Sequence, residues 1–154
     1  ERLVAAGLEE GANVVLGGER SDIGKDGFFY SPTVLENVTT EMQIAREEIF
    51  GPVLSVIRFK DEDDVIQKAN DTLYGLTAGV WTENMKRAHK MIRGLKAGTV
   101  YVNTMSMLDS VAPFGGMKQS GFGRELGIEA MNMYTQTKHV WMEMGENHLD
   151  WYGM

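Results

Sequence analysis

The spacing of apolar positions changes period several times along the chain, and each change marks an element. Leu3, Val4 and Leu8 fall on one side of a helix already under way at Glu1 and running to Glu10. Asn13 to Leu16 is a short β-type run that stops at Gly17-Gly18. Residues 19–27 are polar and glycine-bearing and predict a loop or hairpin tip. Phe28 to Leu35 predicts a second strand, which Pro32 demotes to an edge or a bulge. Thr40 to Glu47 predicts a short helix capped by Thr39 or Thr40.

The middle of the chain has a steadier rhythm. Val53 to Phe59 is a near-continuous apolar strand. Asp61 should cap a helix to about Asn70, with acidic residues 61–64 at its positive end and Val65, Ile66 and Ala69 as its buried stripe. Leu76 to Trp81 is the next strand. Thr82 should cap a helix with an apolar face of Met85, Ala88, Ile92 and Leu95, ended by Gly98. Thr99 to Val102 follows as a third strand. Strand–helix–strand–helix–strand with short connections predicts an α/β fold: a parallel βαβαβ sheet flanked by helices. Continuous apolar strands agree, because parallel sheets are covered on both faces. Ligands gather beyond the carboxyl ends of such strands, where Asn103 stands.

Residues 104–123 form a loop long enough to be functional. Arg124 to about Tyr134 predicts a last helix. Lys138 to Met144 alternates, with Val140, Met142 and Met144 on one face, and predicts a strand with no local partner. Residues 1–136 therefore read as one α/β unit and 137–154 as a terminal strand and tail.

Composition narrows the chemistry. The chain has 154 residues, 43% apolar and 24% charged, with a net charge of −7. That is the profile of an ordinary globular protein and argues against a nucleic-acid partner. No apolar run is long enough for a membrane span, and no export leader is visible, so a cytoplasmic address is the default expectation. The chain begins with Glu1 in an uncapped helix, which reads either as a cut through a longer protein or as a processed domain. There is no cysteine, so disulfides and thiolate metal sites are excluded. His89, His139 and His148 lack ligand spacing, and His89 should face outward. No metal site and no activated nucleophile is expected.

The run Arg46-Glu47-Glu48-Ile49-Phe50-Gly51-Pro52-Val53 carries the most specific signal. A loop of this kind can hold an ionised Glu beside a flat apolar wall. A nicotinamide nucleotide presents a vicinal diol that needs an acceptor and a ring that needs a face. Glu48 and Phe50 would supply them. The plainer alternative is an acidic helix end followed by a core Phe. In the loop 112–125, glycines let backbone pass close to backbone or to a ligand. Phe114 would stand at the rim beyond the strand ends, with Met105, Met107, Leu108 and Met117 as an apolar lining. An ordinary structural loop is the alternative. Lys118 and Arg124 are expected to anchor loop carbonyls rather than an anion.

The runs REEIFGPVLSV, ANDTLYGLTAGVWT, GTVYVNT and PFGGMKQSGFGRELG, in this order, resemble the C-terminal part of an NAD(P)-dependent aldehyde dehydrogenase, over about Gly11 to Met142. The resemblance implies that Glu48 holds the nicotinamide ribose and that Phe50 lies beside the nicotinamide of NAD or NADP. It implies that Asn103 is a structural asparagine behind the pocket, and that Ser106, Met107, Leu108 and Phe114 line an aldehyde channel. It further implies that Lys138 to Met144 lies against a neighbouring subunit in a dimer or tetramer. The family oxidises an aldehyde to a carboxylic acid through a cysteine thiohemiacetal. Its nucleophilic cysteine and general-base glutamate have no counterpart here, so this chain alone is expected to be inactive. The second reading is a non-catalytic interaction or oligomerisation module built on the same fold.

Overall fold

The computed structural model describes residues 1–21, 23 and 27–145. Helix α1 (Arg2–Glu9) leads into β1 (Asn13–Leu16), which pairs antiparallel with β2 (Thr33–Glu36). Between them Arg20 bridges Tyr30 and Ser21 N donates to Phe29 O, so the two arms stay side by side beyond the strands, while residues 22 and 24–26 of the expected tip lie outside the described residues. After α2 (Gln43–Arg46), β3 (Val53–Ser55) lies parallel to β2. The sheet order is β1-β2-β3. Val4, Ala12, Leu35, Val38, Met42 and Ile44 form the core under this sheet, with Ile49 and Val53 packed against it. Gly7 lets α1 settle on α2, since a Cβ there would meet Ile44 at 3.0 Å.

The second half holds α3 (Glu62–Asn70), β4 (Tyr74–Gly75), β5 (Thr77–Val80), α4 (Met85–Gly94), β6 (Thr99–Val102) and β7 (Met117–Lys118). A 3-10 turn at Ile128–Ala130 and α5 (Met131–Tyr134) close it. The unit β5–α4–β6 is parallel in register from Thr77↔Thr99 to Val80↔Val102, as the pattern predicts. Asp61 caps α3 as expected, accepting from Asp63 N at 3.0 Å and Asp64 N at 2.9 Å. Such a cap is worth about 1 kcal/mol.

Several expectations need correction. The helix expected over Thr40–Glu47 is only Gln43–Arg46, with Met42 before it and no side-chain cap, and none of Val65, Ile66 and Ala69 on α3 is buried. The single βαβαβ sheet is in three pieces: β3 pairs with β2, β5 with β6, and β4 antiparallel with β7. A right-handed crossover sets direction, not adjacency, and consecutive strands neighbour each other only roughly two-thirds of the time. The cap of α4 is Asn84, which accepts from Arg87 N, because the Thr82 hydroxyl is engaged by Asn84 N. That helix ends at Gly94 and buries Ala88 and Met91, not Met85 or Ile92. The helix expected over 124–134 is confined to its last seven residues, because Gly127, at φ +58, and Leu126, at φ +59, stand in the left-handed region before it.

Lys138 to Met144 pairs with no strand among the described residues, and Val140, Trp141, Met142 and Met144 are all exposed. An alternating pattern needs a partner edge before it becomes a ladder. Residues 146–154, which include His148 and the end of the predicted tail, lie outside the described residues.

Candidate functional site

The core sets the direction of the Glu48 loop. Ile44 is buried and Ile49 packs on the core cluster, so the intervening chain turns Glu48 outward. Helix α2 ends at Arg46, and Glu47 after it is extended. Thr33 N donates to Pro52 O at 2.8 Å and pins the far side of the loop. The flanking charges are committed elsewhere. Arg46 donates to Thr40 O at 2.9 Å and to Glu41 at 2.7 Å. Glu47 accepts from Gln43 and from Arg2, and these bonds, Gln43 first, hold its carboxyl below its ordinary value. Among the described residues no cation pairs with the Glu48 carboxylate.

Phe50 is 92% exposed, at φ +48. The left-handed region costs a side chain of this size about 1–2 kcal/mol. Exposure means that no packing within the described residues offsets that cost. Residues held in such conformations cluster at ligand sites. Phe50 is therefore not part of the core formed by the described residues.

Glu48 borders a cleft of about 530 Å³ with Ala45, Tyr74, Leu76, Gln119 and Ser120. A second cleft of about 320 Å³ is lined by Phe114, Phe122, Met133 and Tyr134, and again by Leu76 and Ser120. The two therefore adjoin at Leu76 and Ser120. Ser106, Met107 and Leu108 border neither. Ser106 is left-handed at φ +58, and Met107 and Leu108 are 67% and 63% exposed on the 104–112 loop. Tyr101 Oη donates to Met107 O at 2.8 Å and ties that loop to β6.

Asn103 holds the carboxyl ends of β5 and β6 together. Its Oδ1 accepts from Thr82 N at 2.8 Å and its Nδ2 donates to Thr82 O at 3.0 Å. Lys118 and Arg124 act as loop anchors, as expected. Lys118 Nζ donates to Asn70 O and Thr72 O, and Arg124 donates to Gly116 O and Gly123 O. The opposite wall of the Glu48 cleft, Tyr74, Leu76, Gln119 and Ser120, received no role from the pattern. The antiparallel pairing of two two-residue strands that builds it is too short to show a period. Among the described residues no group of three metal-binding side chains is present, and no helix is long and apolar enough to cross a membrane.

The model of the aldehyde dehydrogenase family matches residues 1–140. A betaine aldehyde dehydrogenase from Brucella anthropi is 50% identical over 145 residues, covering 93% of this chain and 30% of its own length. A double mutant of betaine aldehyde dehydrogenase from Staphylococcus aureus, solved with NAD+, superposes with a TM-score of 0.92 at 41% identity, over 99% of this chain and 31% of that one. An aldehyde dehydrogenase from Bacillus cereus in complex with NAD+ gives 0.87 at 48% identity, over 94% and 29%. The chain thus spans about a third or less of the relatives it matches. Alike in sequence and in backbone over nearly all of its length, the chain belongs to the aldehyde dehydrogenase family.

Proposed function

We propose that this chain supplies the nicotinamide-ribose clamp and part of the aldehyde channel of an oxidoreductase that converts an aldehyde to a carboxylic acid with NAD or NADP. The observation that carries the reading is the Glu48 carboxylate, without an ion-pair partner among the described residues, on an open cleft two residues from a strained, exposed Phe50. An ionised carboxylate accepts two hydroxyl donors at once, and a free ring face suits a flat heterocycle. The residues fit the nicotinamide-riboside half of the coenzyme, which when bound supplies the hydride acceptor. Glu48 would orient the ribose, and Phe50 would exclude water from the ring. Phe114, with Leu76 and Met133 beside it, would guide an apolar substrate along the adjoining cleft. Ser106, Met107 and Leu108 would extend that channel only with surface from outside these residues.

The thiohemiacetal step needs a thiolate, and the chain has no cysteine. Aldehyde and NAD+ added to the isolated 154-residue chain should therefore yield no reduced coenzyme, whereas the full polypeptide that carries these residues should turn over. Aldehyde-dependent absorbance of reduced coenzyme from the isolated chain would overturn the assignment of the thiol to other residues.

The exposed Lys138–Met144 segment is the proposed edge for a second copy in a dimer or tetramer. Size-exclusion chromatography with light scattering should show self-association that rises with concentration. A monomer at the highest attainable concentration would count against it.

A further inference from the structure

Gln119 and Ser120 border the Glu48 cleft, and together with Lys118 just before them they divide their polar groups unequally. Lys118 is left-handed at φ +55, and its ammonium is tied to two carbonyls, Asn70 O at 2.9 Å and Thr72 O at 3.0 Å. Ser120 Oγ accepts from Gly75 N at 2.9 Å. The Gln119 backbone is also held, its N–H donating to Leu73 O at 2.9 Å. The Gln119 side-chain amide alone has no hydrogen-bond partner among the described residues, and it borders the same cleft as Glu48. Gln119 is exposed, but its backbone is fixed by these bonds on either side, so its free amide stands at the border of the cleft where a ligand can reach it.

The two walls differ in what they offer. Glu48 is an acceptor only and suits hydroxyl donors. A glutamine offers an acceptor oxygen and two N–H donors, the complement of another primary amide. We propose that Gln119 is a specificity-determining residue whose side-chain oxygen accepts from the carboxamide N–H of a nicotinamide held against Glu48. This rests on the clamp reading given above. Gln119 thereby selects a carboxamide-bearing pyridinium over ring analogues that lack the amide nitrogen.

The test measures equilibrium coenzyme affinity of the full polypeptide by calorimetry, with NAD+ and with its acetylpyridine analogue, in which a methyl group replaces the amide nitrogen. Gln119→Met keeps the length and loses the hydrogen bond. It should weaken NAD+ about tenfold and leave analogue binding unchanged, because the analogue has no N–H to lose. A fold defect would weaken both equally, so equal losses overturn the proposal, as does no loss with either. Glu48→Gln, measured alongside, separates the two readings. If Glu48→Gln weakens NAD+ and Gln119→Met does not, the clamp stands and the carboxamide contact falls. If neither variant changes affinity, both fall.

Discussion

Glu48→Gln in the full polypeptide should weaken coenzyme binding about 30-fold while leaving the thermal midpoint where it is. Each half of that expectation follows from the surroundings of the side chain. Glutamine is nearly isosteric with glutamate and still accepts hydrogen bonds, so the contact geometry survives. What is lost is charge assistance. A bond to an ionised acceptor is worth about 1 kcal/mol more than a neutral one, and a vicinal diol makes two. About 2 kcal/mol then corresponds to roughly a 30-fold change in dissociation constant. Stability should not move, because the Glu48 carboxylate has no cationic partner among the described residues to abandon. Glu47 contrasts with it, since its carboxylate is engaged by Gln43 and Arg2. Calorimetry of the two proteins with NAD+, and with NADP+ in parallel, checks the expectation. An unchanged dissociation constant for both coenzymes would remove Glu48 from the site.

Much of this architecture was legible because local signals and tertiary needs coincide in it. The Asp61 cap, the parallel β5–α4–β6 unit and the carbonyl-anchoring Lys118 and Arg124 all stand where the residue types place them. Glu48 was legible for a different reason. A carboxylate followed by an aromatic ring and a Gly-Pro turn is poor helix and poor strand, so local structure does not explain it. The misplaced strands share one cause. Leu54, Phe59 and Trp81 are apolar in strand-like runs, yet all three are exposed. Apolar periodicity reports that a position is to be covered, not by which segment. Reading β3 and β5 as neighbours filled that silence with the nearest segment in sequence. The Lys138–Met144 run shows the same silence, for its alternation names no covering segment and it pairs with none among the described residues. Gln119 and Ser120 escaped notice because their role comes from β4 and β7, paired over only two residues each from more than forty positions apart.

Gly98→Ala should be the most damaging single methyl group that can be added to this chain. The reason is a close approach of backbones, not a left-handed turn. A Cβ on Gly98 would collide with Gly115 O and lie 2.8 Å from Gly115 C. Both are main-chain atoms and cannot swing aside like the end of a side chain. Gly75 continues the same contact, for a Cβ there would lie 2.6 Å from Lys96 O. Gly98 N in turn donates to Gly75 O at 3.0 Å. The segments before β5 and before β6 and the 113–123 loop thus approach one another most closely at these glycines. Overpacking a site whose neighbours can relax costs about 1–3 kcal/mol, and here the loss should reach or exceed about 3 kcal/mol because the neighbours are backbone. Gly51→Ala is the matched control. Its Cβ would meet Ile49 at an ordinary 3.5 Å, and it should change stability by less than about 1 kcal/mol, in the stabilising direction if the unfolded chain is stiffened. Denaturant unfolding of both variants reads the contrast. The chain has one way to soften the loss, which is to let the 113–123 loop lift away from Gly98. That would displace Gln119 and Ser120 from the cleft that Glu48 borders, so any stability recovered should appear as lost coenzyme affinity. A Gly98→Ala protein with both quantities unchanged would mean that the glycine contact does not hold the loop in place.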